Sequence, residues 1–223
     1  MGLLVSFSGI DGAGKTTLSK LVLKELNIGK IKFKYVYGRL NPLISKPLII
    51  IGRRILMRKK DVKKDYKVYS SAKKNFLKNH STLSKIYYFV LLFDYLLQLL
   101  IKVRLRMIFD RNLICDRYVY DTIITDLAVD FGLNEEQILE LSRKFFKIVP
   151  KPTIAFLIDL PETIAFQRKS DTPSMNYLKE RREIYLRIAK KEGMVILNGC
   201  EDIHKIKRKV VEMVVNCCQG DIK

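Results

Sequence analysis

Short apolar runs alternate with longer stretches of helical periodicity along the 223 residues. The first run, Leu3-Leu4-Val5-Ser6-Phe7-Ser8, suits a buried parallel strand, and Thr17 to Leu26 repeats its apolar positions at the spacing of an amphipathic helix. Ile31 to Tyr37 alternates as a strand does and stops at Gly38. A long helix is predicted over about Ser84 to Phe109, then a strand over Asn112 to Asp116. Helices follow over Tyr120 to Phe131 and Asn134 to Val149, the second opened by a capping box of Asn134 and Gln137. A fourth strand covers Thr153 to Ile158, and Pro161 opens the next helix where its missing N–H costs nothing. After the polar break from Lys169 to Ser174 come a helix over about Asn176 to Lys191, a fifth strand over Met194 to Leu197, and a basic amphipathic helix. Strands alternating with helices predict an α/β, doubly wound sheet of about five parallel strands, with helices on both faces and ligands at the strands' carboxyl ends.

Between the first strand and the first helix, Gly9-Ile10-Asp11-Gly12-Ala13-Gly14-Lys15-Thr16 fits the phosphate-binding pattern G-x-x-x-x-G-K-[ST]. Glycines let such a loop wrap a polyphosphate, so that successive N–H groups and the positive end of the following helix face the anion. Gly9, Asp11, Gly12, Ala13, Gly14, Lys15, Thr16 and Thr17 are therefore the candidate ATP-binding residues. Lys15 is expected on the β- and γ-phosphates, and the Thr16 hydroxyl on Mg²⁺. The alternative, a chance glycine turn, would require strand, loop and helix to coincide by accident.

Composition narrows the picture. This length fits one domain, 1–223, large enough to bury a core without disulfides. Cys115, Cys200, Cys217 and Cys218 include no C-x-x-C pair and no accompanying His cluster, so neither a zinc site nor a redox pair is expected. The first strand begins almost at the first residue, so no targeting segment is expected and the setting is read as cytoplasmic. Asp94 and Gln98 interrupt the longest apolar stretch, Ile86 to Ile101, which is short for a membrane span. It reads as a buried helix rather than a transmembrane segment, with a homodimer interface as its second use.

The net charge is +19, and more than half of it falls in residues 52–85, where twelve Lys or Arg face only Asp61 and Asp65. Such a segment can steer anions, bind nucleic acid or touch an acidic membrane. No nucleic-acid motif accompanies it, so a solvated helical segment is the preferred reading and nucleic acid is not an expected partner.

Asp116-Arg117-Tyr118 closes the third strand, beside the phosphate loop in any doubly wound arrangement. An acid there can hold Mg²⁺, and an arginine there can pair with a phosphate through two parallel hydrogen bonds. Alone, the pair could simply close the strand.

With the loop's Asp11, with Asp116-Arg117-Tyr118, and with Phe156-Leu157-Ile158-Asp159-Leu160-Pro161-Glu162 before a helix ending at Arg168, the chain resembles the thymidylate kinase family of P-loop nucleoside monophosphate kinases from residue 3 to about 215. The resemblance implies ATP- and Mg²⁺-dependent phosphoryl transfer to a nucleoside monophosphate, dTMP first. Asp11 and Arg117 would bind the acceptor, and Phe93 would stack on its base. Asp116 would join Thr16 at the metal. Ala13 leaves the loop without an arginine, so a lid at about 168–182 would supply it, from Arg168 ahead of Lys169, Arg181 and Arg182. Lys15, Arg117 and Arg168 are thus the expected catalytic set.

Departures from the family pattern bear on the acceptor. Only Arg39 matches the usual stretch after the second strand, Leu97 replaces a base-reading arginine, and Asp121 stands for a serine at the acceptor site. Phe93 could equally be a core residue. Two other readings are a kinase of the same fold acting on a nucleoside or another small metabolite, with Asp116 or Asp121 as general base, and an ATP-dependent nucleic-acid-binding or regulatory protein.

Overall fold

The computed structural model describes residues 2–57, 72–73, 75–77, 79–169 and 172–220. Most of the cations of the basic segment, and its expected break around Asp61 to Ser71, lie outside the described residues. Five parallel strands, β1 (Leu4–Ser8), β2 (Lys34–Tyr37), β3 (Leu113–Asp116), β4 (Ile154–Asp159) and β5 (Val195–Asn198), form one sheet in the order β2-β3-β1-β4-β5. Phe7 of β1 lies between Asp116 of β3 and Phe156 of β4, which brings the carboxyl ends of three strands level. Every residue of β1 and β3 is buried, as expected of strands covered on both faces. The Phe7 and Phe156 rings stack with centroids 5.4 Å apart.

The helices are α1 (Lys15–Ile28), α2 (Lys46–Met57), α3 (Ser81–Asp110, with a π-helical turn over Leu100–Leu105), α4 (119–131), α5 (Glu135–Phe146), α6 (Glu162–Arg168), α7 (Met175–Glu192) and α8 (Ile203–Gln219). Leu18, Val22 and Leu26 recur every fourth residue on α1 and supply its buried stripe. The expected capping box opens α5, with Gln137 N donating to Asn134 Oδ1 and Asn134 N to Gln137 Oε1, both at 2.9 Å. β2 is shorter than the alternation suggested. The Asn27 side chain accepts from Phe33 N, and Ile31 N donates to Leu26 O, so 31–33 fold back on α1 before pairing begins. Cys115 is a buried free thiol.

The long helix corrects the expectation of a buried one. α3 presents Leu91, Tyr95, Leu99 and Val103 inward, whereas Ile86, Phe89, Phe93, Leu97, Ile101 and Leu105 are exposed along the opposite side. The helix is 30 residues long and contains an 18-residue window of mean hydropathy 1.7, enough by length and composition for a membrane span, and 33% of that window is buried. Its inner side also carries Asp94 and Gln98. The Asp94 Oδ2 accepts from Leu43 N and Ser45 N at 2.9 Å and from Ser45 Oγ at 2.7 Å. The Gln98 amide makes two bonds to the Asn41 backbone. These two polar residues clamp the loop after β2 to the domain.

Candidate active site

The phosphate loop adopts the backbone its glycines permit, with φ of +146° at Gly9 and +86° at Gly12. A Cβ on Gly12 would stand 2.5 Å from the Ala165 carbonyl oxygen, so α6 fixes the loop's outer wall. Lys15 is buried and donates from Nζ to Gly9 O and Ile10 O, both at 2.7 Å. Burial and the charge of Arg117 push its ammonium down to about 7, against the opposing pull of Asp121, Asp11 and Asp116.

The end of β3 meets this loop from the side. The Thr16 hydroxyl donates to Asp116 Oδ2 at 2.6 Å, and the Tyr35 hydroxyl donates to the same oxygen at 2.7 Å. The other oxygen, Asp116 Oδ1, is buried with no hydrogen-bond partner among the described residues. A hydroxyl beside a carboxylate with one uncommitted oxygen suits a hard divalent cation. No group of three or more His, Cys, Asp or Glu suited to a metal occurs among the described residues, so a cation here would be completed by phosphate and water.

Arg117 follows at once, in the left-handed region with φ of +66°, its N–H donating to Phe7 O at 3.0 Å. Non-glycine residues hold this conformation only where surrounding contacts enforce it. The turn aims the guanidinium over the phosphate loop, where Nη2 donates to Asp11 Oδ1 at 2.7 Å. The Nη1 group is buried without a hydrogen-bond partner among the described residues. Burial would raise the Asp11 carboxyl, but Arg117, Lys15 and Arg39 outweigh it and hold it well below the usual carboxylate range.

Arg39, whose charge acts on Asp11, lines a cleft of about 430 Å³ together with Asn41 after β2, Tyr87 and Leu91 of α3, Thr125 and Asp126 of α4, and Tyr177 of α7. Arg39 reaches Asp126 through Nε at 2.9 Å and Nη2 at 2.5 Å, a bidentate pair. The Tyr95 hydroxyl donates to Gly38 O at 2.9 Å and so fixes the strand end that carries Arg39. A second pocket, about 320 Å³ and mostly apolar, lies past the other end of the loop, between Ala13, Gly14, Leu18, Ile158, Gly199 and Ile203.

The structure thus brings Asp11, Lys15, Thr16, Asp116 and Arg117 together and sets Arg39 at the cleft. It does not bring Phe93 there. That ring is 60% exposed and lines an apolar groove with Phe89, Leu92, Leu96, Leu141 and Phe145. The cleft-facing positions of α3 are Tyr87 and Leu91, so Phe93 falls on the wrong side of the helix. Leu97, one turn on, shares its exposed side. Asp121, placed at the acceptor by sequence, is 0% exposed, with both oxygens taken up by Ser8, Tyr118 and Tyr185.

The lid cations separate. Arg168 lines the second pocket, and Lys169 Nζ stands 3.8 Å from Asp11 Oδ1. Arg182 is committed to Asp159 and Glu162. Arg181 is buried over the Tyr177 ring and donates to Thr125 O. Sequence reasoning missed the Asp94 and Gln98 clamp, Tyr35, Asp126 and the second pocket. Gly199, directly after β5, was the one available signal for that pocket, since ligands gather at strand ends.

No family model matches the chain. Curated relatives do. It is 26% identical to a probable thymidylate kinase of Sulfurisphaera tokodaii, covering 96% of both chains. A probable thymidylate kinase of Methanocaldococcus jannaschii is 27% identical over 91% of this chain and 92% of its own. The thymidylate kinase of Ligilactobacillus salivarius is 24% identical, over 92% and 93%.

Proposed function

We propose that this chain, which belongs to the thymidylate kinase family, transfers the terminal phosphoryl group of ATP to a nucleoside monophosphate, with dTMP the first acceptor and Mg²⁺ the companion cation. The observation that carries the reading is the 2.7 Å contact from Arg117 to Asp11. It sets a phosphate-binding guanidinium at the end of β3 directly against the loop that holds a triphosphate. The second pocket, on the far side of that loop, suits the donor's base by position and apolar lining.

Phosphoryl transfer asks for in-line positioning and for neutralisation of the equatorial oxygens. The loop N–H groups hold the triphosphate, and Lys15 exchanges its two carbonyl partners for phosphate oxygens. Arg117 offers Nη1 to the acceptor's phosphate, and Arg39 lines the cleft. Thr16 and Asp116 would hold Mg²⁺, which when bound supplies positive charge to the phosphate oxygens. Lys169 or Arg168 completes the charge from the lid, whose closure excludes water as a competing acceptor.

ADP release measured with ATP and Mg²⁺ against dTMP, dUMP, dCMP, UMP, CMP and thymidine tests this reading. Stimulation by a monophosphate is expected, and none by any compound would end it. A nucleoside acceptor with Asp116 or Asp121 as general base has less support, because each carboxylate already accepts from at least two protein donors. The exposed stripe of Ile86, Phe89, Phe93 and Leu97 supports a homodimer through α3. Nucleotide metabolism of this kind fits the cytoplasm.

A further inference from the structure

A buried carboxylate in a protein needs a reason, and Asp121 has an unusual set of neighbours. Its Oδ2 accepts from Ser8 Oγ at 2.6 Å and from Tyr118 N at 3.3 Å. Its Oδ1 accepts from the Tyr185 hydroxyl at 2.9 Å. These donors come from the end of β1, the turn after β3, and α7. All three are neutral, so none of them balances the negative charge of the carboxylate. The negative charge therefore has another use.

That use is visible on Oδ1, which faces Arg117 Nη1 at 3.9 Å. The separation is short enough for strong attraction in a buried setting, yet too long for a hydrogen bond. Asp11 takes Nη2 at 2.7 Å on the other side. Arg117 is thus held between two carboxylates, one bonded and one not, and Nη1 stays buried without a hydrogen-bond partner among the described residues. A second bonded carboxylate would have consumed the donor. With no second carboxylate, the guanidinium would be anchored at one end only, on a backbone already held at φ +66°.

We propose that Asp121 is the positioning residue that seats Arg117 for the acceptor's phosphate. It draws the guanidinium toward its own Oδ1 while leaving Nη1 available to a phosphate oxygen. The inference rests on the kinase reading above and adds the device by which its acceptor arginine is aimed. Burial raises the Asp121 carboxyl, and Lys15, Arg117 and the bonds from Ser8 and Tyr185 counter it, so the charge is tied to the cations it faces.

Asp121→Asn removes the charge and keeps the shape, exchanging one accepting oxygen for an N–H donor. The acceptor KM, measured by ADP release under saturating ATP, is expected to rise about tenfold. Tyr185→Phe deletes one hydrogen bond to the same carboxylate and leaves its charge, so it is expected to lower thermal stability while holding the acceptor KM within twofold. If both variants lose stability alike and the acceptor KM does not move in Asp121→Asn, the role is structural and the proposal falls. Asp121→Ser is read in the same way should Asp121→Asn not fold, and failure of both to fold assigns the carboxylate to the fold alone. A wild-type protein that responds to no monophosphate overturns the kinase reading and this inference with it, whereas a responsive wild type with an unmoved variant KM overturns the seating role only.

Discussion

The Thr16 hydroxyl donates to the Asp116 carboxylate across 2.6 Å, joining the first turn of α1 to the end of β3. The pair uses one carboxylate oxygen and leaves Oδ1 uncommitted. Asp116→Asn is expected to lower kcat/KM by about 100-fold, in the range seen when one charge-stabilising group is lost. It should also raise the Mg²⁺ concentration needed for half-maximal ADP release. An unchanged Mg²⁺ dependence would show that the two residues serve only to link helix and strand.

Lys15 titrates at about 7 against an ordinary 10.5, because burial penalises its charged form. Between those values the unfolded chain holds a proton that the folded chain lacks, so the contribution of Lys15 to stability grows as pH rises through this window. A polyphosphate beside the amine reverses the balance and favours the ammonium. Calorimetry of ATP binding at pH 8, in buffers of different ionisation enthalpy, is expected to reveal uptake of roughly one proton per nucleotide. Lys15→Ala should abolish that uptake, and heats that do not depend on buffer would refute the assignment.

Helix phase predicts which side chains of α3 meet the acceptor. Tyr87 lines the cleft and Phe93 does not. Tyr87→Ala is expected to raise the acceptor KM roughly fivefold, within the range for losing an aromatic face beside a base. Phe93→Ala should leave it within twofold, and a larger effect of Phe93→Ala would reverse the assignment of the helix faces.

The exposed stripe makes a different forecast. Leu97→Glu places a charge in the middle of it, and sedimentation velocity is expected to show a shift from dimer to monomer. Wild type sedimenting as a monomer at micromolar concentration would remove the interface.

Gly38 sits against the backbone of Arg117, where an added Cβ would lie 2.4 Å from the Arg117 carbonyl oxygen and 3.3 Å from the Tyr118 ring. Gly38→Ala is therefore expected to cost about 2 kcal/mol, as overpacking commonly does. Thermal unfolding should record a fall of roughly 4–8 °C for a chain of this size. A fall below one degree would mean that the strand end moves freely.

The phosphate loop and the Asp116-Arg117 strand end were legible because their chemistry is local. A glycine turn between a strand and a helix carries its function in its own backbone. The phase of α3 was not legible, since a helix apolar on all sides has no pattern to distinguish its faces. Asp94 and Gln98 looked like interruptions of an apolar run, and they prove to lie on its buried side. Their partners are the backbone of Asn41, Leu43 and Ser45, some fifty residues earlier. Asp121 misled for a similar reason. Ser8 and Tyr185, which satisfy it, are 113 and 64 residues away in sequence. Arg181 and Arg182 resembled mobile lid cations until their partners at Thr125, Asp159 and Glu162 came into view.

The strand order β2-β3-β1-β4-β5 divides the molecule into two halves about its central strand. β1 and its loop form the seam. On one side, β4 and β5 frame the second pocket beside a phosphate loop with no mismatch to its pattern. On the other, β2 and α3 frame the cleft. The two cavities share no lining residue, so a substitution on the β2-β3 half can reshape one while the walls of the other stay as they are.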